Sequence, residues 1–356
     1  MIINVAKVFL PSTIAFTIGI LSAPLLTHFL YKHKMWKKKA GKIATDGRET
    51  PIFNELHKHK EVGTPKMGGM LIWSSVLLTI FLFYFLSKLF PTELTTKLNF
   101  LSQGQTWLPL FTLVVGSFIG LIDDFLEVTG KGGYLAGGLS LKKRLLVVTI
   151  TGLIGGVWFF YRLGVSSILI PFAGELELGH LFIPLFIAVM LALYSGGVID
   201  GIDGLAGGVF ASIFAAYGGI AFFQNQIDLA AFCAVMAGGI LAFLWFNIPP
   251  ARFYMSETGT MGLTMTLAVV AFLTKAVMVL PIIAFPLLAT TLSDVIQLLS
   301  KRFRNGKKIF EIAPVHHHFE AIGWPGYKVT MRYWVMSIVL AIFGMIVALV
   351  GLQQIY

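Results

Sequence analysis

Long apolar segments alternate with short polar ones along almost the whole chain. Ten of the apolar segments approach the roughly 20 residues that a helix needs to cross the hydrocarbon core of a bilayer. The pattern therefore predicts an all-α polytopic membrane protein with ten transmembrane helices, built as a single integral membrane domain over residues 1–356. The predicted spans are residues 8–31, 67–87, 106–122, 145–161, 181–199, 205–223, 229–246, 261–279, 281–299 and 334–351. The eighth and ninth spans are separated only around Pro281, which predicts a tight hairpin or one broken unit there.

The composition agrees with this pattern and excludes other classes of protein. Hydrophobic residues make up 56% of the 356 residues and charged residues only 12%, whereas an average soluble domain is about 25% charged. The mean hydropathy of +0.82 points the same way. A soluble globule could not hide this much apolar surface, and a disordered chain would carry far less of it. The single cysteine, Cys233, excludes a disulfide within the chain.

The basic residues indicate an orientation. Only Lys7 precedes the core of the first span, whereas ten lysines and arginines follow it, which is the opposite of a signal peptide. With the N-terminus outside, the predicted cytoplasmic loops hold 22 of the 27 basic residues, as the positive-inside rule expects. These loops are residues 32–66, 123–144, 200–204, 247–260 and 301–332. Both termini are thus predicted outside, and the net charge of +10 reports orientation rather than a nucleic-acid partner.

Acidic residues carry most of the chemical information, because a carboxylate at membrane depth costs at least about 2.5–3.5 kcal/mol. Asp123 and Asp124 are adjacent at the end of the third span, and such a pair can bind a divalent cation or act as a general base. Asp200 and Asp203 share one face of a glycine-rich turn, where Gly201 allows a ligand to approach the backbone. A solvated helix end or an ordinary glycine turn would look similar, so each motif alone is weak.

Two further loops carry polar groups. The loop over residues 247–260 contains Asn247 and Glu257, oxygen ligands of the kind that Mg²⁺ prefers, and the later loop contains three successive histidines from His316. Consecutive histidines lack the i, i+4 spacing of helical zinc sites, so contacts with phosphate or sugar oxygens are the favoured interpretation. All these groups fall in the predicted cytoplasmic loops. They predict an active site at the cytoplasmic face for an anionic substrate and a metal, rather than the midplane site of a transporter.

Five motifs together resemble the bacterial phospho-N-acetylmuramoyl-pentapeptide translocases, a branch of the polyprenyl-phosphate hexosamine-1-phosphate transferases. The likeness covers almost the whole chain. The most specific motif is the last one, which contains Ala-Pro-Val-His-His-His-Phe-Glu followed by Gly-Trp-Pro. The motifs are residues 63–69, 123–124, 200–206, 247–260 and 309–325.

The resemblance implies a multi-pass transferase of the bacterial inner (cytoplasmic) membrane that serves peptidoglycan synthesis, and with it cell shape and division. It would transfer phospho-N-acetylmuramoyl-pentapeptide from its UDP carrier, UDP-N-acetylmuramoyl-pentapeptide, to undecaprenyl phosphate. The products would be lipid I and UMP. The resemblance also implies Mg²⁺ as cofactor, contact with membrane lipid and a homodimer.

The resemblance assigns roles to particular residues. Asp123, Asp124 and Asp203 would be catalytic, and Glu257 would bind the metal. Tyr254 would stack on uracil. The substrate-binding set would be Lys60, Asp200, Gly201, Asn247, Tyr254, His316, His317 and His318.

Three positions depart from the family pattern. Glu127 stands where the family has a lysine, Gly197 where it has an asparagine, and Glu257 where it has the metal-binding aspartate. Lys142, Lys143 or Arg144 would replace part of the charge that Glu127 reverses. The departures leave two alternatives open: the same chemistry on another UDP-N-acetylhexosamine, or a weakened homologue that acts as a binding or scaffold protein.

Overall fold

Helices make up most of the computed structural model, which describes residues 2–38, 62–102, 104–131 and 138–353. Nine helices in this part of the chain are long and apolar enough to cross a membrane, and one bent pair of helices forms a tenth candidate. The predicted all-α polytopic class and the ten apolar spans are therefore confirmed. The orientation of the termini stays a prediction.

Several successive helices are joined by short connections, which favours antiparallel neighbours in a bundle. The helices are α1 Ile2–Lys32, α2 Met70–Leu89, α3 Glu93–Leu98, α4 Trp107–Thr129, α5 Leu141–Val157, α6 Phe182–Gly196, α7 Leu205–Phe223, α8 Ile227–Asn247, α9 Ser256–Leu273, α10 Leu280–Ile283, α11 Phe285–Phe303, α12 Val315–Ala321 and α13 Gly326–Gln353. A π-helical turn over Trp158–Arg162 extends α5, and 3₁₀ turns cover Gly179–Leu181, Gly197–Ile199 and Val277–Val279. The strands are β1 Ser167–Ile170 and β2 Gly174–Glu177.

The predicted break between the eighth and ninth spans is wrong in position. Helix α9 already ends at Leu273, and Lys275 lies in the following turn with a φ of 52°. Pro281 lies in the first turn of α10, where its missing N–H costs no helical hydrogen bond. The bend of 79° comes later, between Val277–Ile283 and α11.

The hairpin of β1 and β2 lies between α5 and α6. The strands are antiparallel, with Ser167 opposite Glu177 and Ile170 opposite Gly174. The ammonium of Lys275 lies 3.0 Å from Glu175 of β2, so this lysine is a hairpin contact rather than a membrane-buried charge. Because the hairpin follows the end of α5, it lies at the far end of the bundle from the start of that helix.

Small residues let the central helices approach one another closely, which is how helices pack where lipid removes the hydrophobic driving force. Helices α7, α8 and α9 form the buried centre, whereas α1 and α13 expose most of their apolar surface at the perimeter. At the contact of α4 with α9, a Cβ on Gly116 would lie 2.8 Å from the Cα of Gly262. This close contact fixes the end of α4 against the start of α9.

Candidate active site

Three carboxylates meet on one face of the last turns of α4. Asp123, Asp124 and Glu127 are spaced so that a helix places them side by side, and their oxygens lie within 4.8 Å of one another. Both aspartates are buried and the Glu127 side chain is 12% exposed. Buried like charges require cations or a metal ion beside them. This cluster could therefore hold a metal ion.

The two carboxylate oxygens of Asp124 differ in their hydrogen bonding. Its Oδ2 accepts hydrogen bonds from the Thr258 amide at 2.9 Å and the Thr258 hydroxyl at 2.5 Å. Its Oδ1 is buried and has no hydrogen-bond partner among the described residues. Buried polar atoms are nearly always paired, and carboxylate oxygens are the usual ligands of hard cations. The free Oδ1 and the donor set therefore fit a divalent cation.

Two cations lie against this cluster. The Nζ of Lys66 lies 2.5 Å from Oε2 of Glu127. Burial alone would lower the pKa of Lys66, but the negative charges of Glu127 and Asp124 outweigh that effect and raise the pKa. Arg144, at the start of α5, forms an ion pair with Glu257 and lies 4.0 Å from Oδ2 of Asp123. Lys66 and Arg144 therefore stay charged and offset part of the negative charge.

The loop that carries Lys66 is fastened to the segment before α9. The amide of Gly68 donates to the carbonyl of Tyr254 at 2.8 Å, and the amide of Tyr254 donates to the carbonyl of Pro65 at 2.9 Å. A third bond runs from the Gly69 amide to the Met255 carbonyl at 3.1 Å. These bonds bring the motif over residues 63–69 against the loop between α8 and α9.

The aspartates of the loop between α6 and α7 bind the same segment. Oδ2 of Asp200 accepts the Ser256 amide at 2.7 Å, and Oδ2 of Asp203 accepts the Ala251 amide at 3.3 Å. Burial raises the pKa of Asp200 to about 6. Among the described residues, Asp203 is not part of the carboxylate cluster of α4, and its catalytic role stays a prediction.

Asn247 joins two loops from the end of α8. Its Oδ1 accepts the Gly204 amide at 2.9 Å and its Nδ2 donates to the Phe253 carbonyl at 2.9 Å. The side chain therefore holds the 200–204 turn against the 247–255 loop. A role in substrate binding stays a prediction.

His316 and His317 are buried against the Gly201 turn. A Cβ at Gly201 would lie 2.5 Å from Nε2 of His317 and 2.6 Å from Nε2 of His316, so only glycine fits there. Nδ1 of His317 lies 2.8 Å from Oε2 of Glu320, which orients the ring. The structure thus places the Asp-Gly turn against the histidine motif, and a role of these histidines in substrate binding stays a prediction.

The remaining predicted residues have varied positions. His318 accepts the Glu311 amide on Nδ1 at 3.2 Å, and Tyr254 is half-buried. Lys60 lies outside the described residues. Glu257, the predicted metal ligand, contacts Arg144, and its binding of a metal stays a prediction.

Several site residues were missed by sequence reasoning or treated only as flanking charges. Glu127 was visible as the fourth residue after Asp123, a spacing that shares a helical face. Trp334 gave no such signal, although its Nε1 donates to the Gly204 carbonyl at 3.0 Å. Thr258 and Lys66 become recognisable only when α4, α9 and the 63–69 loop are packed together.

Gly120→Ala is expected to disrupt the site through packing alone. Its Cβ would overlap the backbone carbonyl of Glu257, which holds α4 against α9. Overpacking of this kind costs about 1–3 kcal/mol, so the melting temperature in detergent should fall and activity with it. Gly197→Ala is the matched control, because its Cβ would lie 3.4 Å from Cβ of Thr260. Equal melting temperatures for the two variants would contradict the close α4–α9 contact.

Comparison with known proteins places the chain among membrane-bound sugar-phosphate transferases. Residues 106–275 match the model of glycosyl transferase family 4. The chain is similar to the phospho-N-acetylmuramoyl-pentapeptide-transferase of Listeria innocua, with 32% identity over 339 residues that cover 94% of this chain and 96% of the relative. It is 30% identical to the protein of that name from Chloroflexus aggregans over 360 residues, covering 98% of this chain and 91% of the relative.

Proposed function

Since the chain belongs to the phospho-N-acetylmuramoyl-pentapeptide-transferase family, we propose that it uses its carboxylate cluster and Mg²⁺ to make lipid I. The chain is a multi-pass transferase of the bacterial inner membrane that acts in peptidoglycan synthesis. We further propose UDP-N-acetylmuramoyl-pentapeptide as donor and undecaprenyl phosphate as acceptor. The active site would face the cytoplasm, where the donor is found.

The observation that carries the proposal is the buried carboxylate cluster with a free oxygen on Asp124, next to two cations. Transfer of a phosphoryl group between anionic substrates requires alignment and neutralisation of charge more than covalent chemistry. A divalent cation on Asp123 and Asp124 and the ammonium and guanidinium groups of Lys66 and Arg144 supply that neutralisation. Glu257 is proposed as a further Mg²⁺ ligand.

Bound Mg²⁺ would offset negative charge on the pyrophosphate and polarise its phosphoryl oxygens. In the proposed reaction an oxygen of undecaprenyl phosphate forms a bond to the β-phosphorus of the donor. The bond from this phosphorus to the oxygen that bridges the α- and β-phosphates breaks, and UMP leaves with that oxygen. Asp123 or Asp124 accepts any proton that the lipid phosphate still carries.

The second group of residues is proposed to bind the nucleotide and sugar. Asp200, Gly201 and Asn247 lie in loops that contact the start of α9, where the Ser256 amide donates to Asp200. Two residues further on, the Thr258 amide donates to Asp124 of the carboxylate cluster. This connection supports one continuous site. His316, His317, His318, Lys60 and Tyr254 complete the proposed substrate-binding set, with Tyr254 on the uracil ring.

The proposal is tested by UMP release from the purified protein in detergent with undecaprenyl phosphate and Mg²⁺. The expected result is release from UDP-N-acetylmuramoyl-pentapeptide and none above background from UDP-N-acetylglucosamine. Release only from the second donor would support the same chemistry on another sugar. Binding of the first donor without release from either would support a binding or scaffold protein.

A further inference from the structure

The acids around the carboxylate cluster differ in how closely they are paired with cations. Among the described residues, Lys66 binds Glu127 and Arg144 forms an ion pair with Glu257. Arg144 is also 4.0 Å from Oδ2 of Asp123. Within the cluster of Asp123, Asp124 and Glu127, the two aspartates are therefore the acids left for a divalent cation.

Both oxygens of Glu127 face lysines. Oε2 lies 2.5 Å from Nζ of Lys66, and Oε1 lies 3.8 Å from Nζ of Lys37. Asp124, one helical turn away, keeps an oxygen that receives no hydrogen bond from the part of the chain that the structure describes. Glu127 thus binds ammonium groups, whereas Asp124 keeps an oxygen that could bind a metal ion.

Lys66 belongs to a loop that contacts both the carboxylate cluster and the segment before α9. Its Nζ pairs with Glu127 of α4, and Asp200, whose Oδ2 accepts the Ser256 amide, binds the same segment before α9. Its backbone is held on both sides, because its own amide donates to the Met35 carbonyl at 2.8 Å and its loop pairs with residues 254–255. In the proposed site, a donor with its pyrophosphate at the carboxylate cluster and its nucleoside at the Asp200 turn would bring the pyrophosphate next to this loop.

We propose that Lys66 binds the pyrophosphate of the donor substrate and that Glu127 is its positioning residue, not a ligand of the metal. The inference rests on the proposed function, because it takes a nucleoside-diphosphate sugar as the substrate. It also accounts for a departure from the family pattern: the cation expected at position 127 is supplied from position 66. With a lysine at position 66 and a glutamate at position 127, the site keeps an ammonium group near Asp124 although the family's lysine at 127 is missing.

The test is a charge-exchange cycle of four proteins: wild type, Lys66→Glu, Glu127→Lys and the double variant. Each single variant is expected to lose at least about tenfold in kcat/KM, because like charges then face each other. The double variant restores an ammonium beside Asp124 and should recover most of that loss. Lys301→Glu, at an exposed position in the last turn of α11, is the control for a general effect of charge reversal.

Two binding measurements without turnover accompany the cycle. Glu127→Gln should keep the wild-type affinity for Mn²⁺, measured by electron paramagnetic resonance, whereas Lys66→Ala should weaken binding of UDP-N-acetylmuramoyl-pentapeptide about tenfold. A loss of Mn²⁺ affinity in Glu127→Gln, or a double variant no better than the singles, would overturn the inference. Wild-type protein that releases no UMP would instead refute the proposed function, while the two binding measurements would still decide the roles of Lys66 and Glu127.

Discussion

Asp124→Asn is expected to lower the rate of UMP release by about 10³-fold or more, the scale seen when one member of a catalytic group is removed. The amide retains an oxygen that can accept the hydrogen bonds from Thr258, so the fold should survive. The substitution removes the negative charge of a fully buried carboxylate, whose second oxygen has no hydrogen-bond partner within residues 2–38, 62–102, 104–131 and 138–353. The variant should also lose Mn²⁺ binding while its melting temperature stays at or above that of the wild type.

Asp228→Asn is the matched control for this substitution. Asp228 lies in the first turn of α8 and pairs with Lys7 of α1 at 2.5 Å, at the opposite end of that helix from Asn247. Its replacement should leave kcat/KM within about twofold, because this ion pair lies at the far end of α8 from the site. An Asp124→Asn protein with normal activity would remove the carboxylate cluster from the mechanism.

Arg144→Ala is the second change with a large expected effect. Its guanidinium pairs with Glu257 and lies near Asp123, so truncation leaves two carboxylates without their shared cation. Removing one partner of a buried ion pair costs about 3–5 kcal/mol, with less expected here because Arg144 is 19% exposed. We expect a lower melting temperature together with at least a hundredfold loss of kcat/KM.

Two further variants show whether the effect of Arg144→Ala comes from the lost charge or from the lost shape of the guanidinium. Lys143→Ala removes an exposed basic residue from the same turn of α5 and should change neither quantity. Arg144→Lys keeps the charge but loses the planar fork of the guanidinium, so its activity should lie between the alanine variant and wild type. Full activity in Arg144→Ala would show that Glu257 needs no cation.

The positions of the spans were predictable because they depend on local properties of the chain. Stretches such as residues 229–246 are apolar enough to identify a helix without knowledge of its neighbours, and α8 confirms it. The break near Pro281 was placed wrongly for a related reason. Proline is compatible with the first turn of a helix as well as with a break, and the sequence pattern does not distinguish the two.

The site was predictable in its motifs and unpredictable in its contacts. Asp123, Asp124 and the histidines stood out because polar groups are rare in so apolar a chain. The bond of Lys66 to Glu127 joins residues 61 positions apart, and it depends on how the 63–69 loop packs against α4. Such pairings follow from the tertiary fold. The sequence therefore showed the reversed charge at Glu127, but it did not show that Lys66 supplies a cation next to it.

The most direct test of the account is UMP release from UDP-N-acetylmuramoyl-pentapeptide and undecaprenyl phosphate by wild-type protein, measured with EDTA and then with excess Mg²⁺. The account predicts no release above background in EDTA and full recovery when Mg²⁺ is restored. Release that is equally fast in EDTA, or no release with Mg²⁺ from protein that keeps its melting temperature, would contradict it.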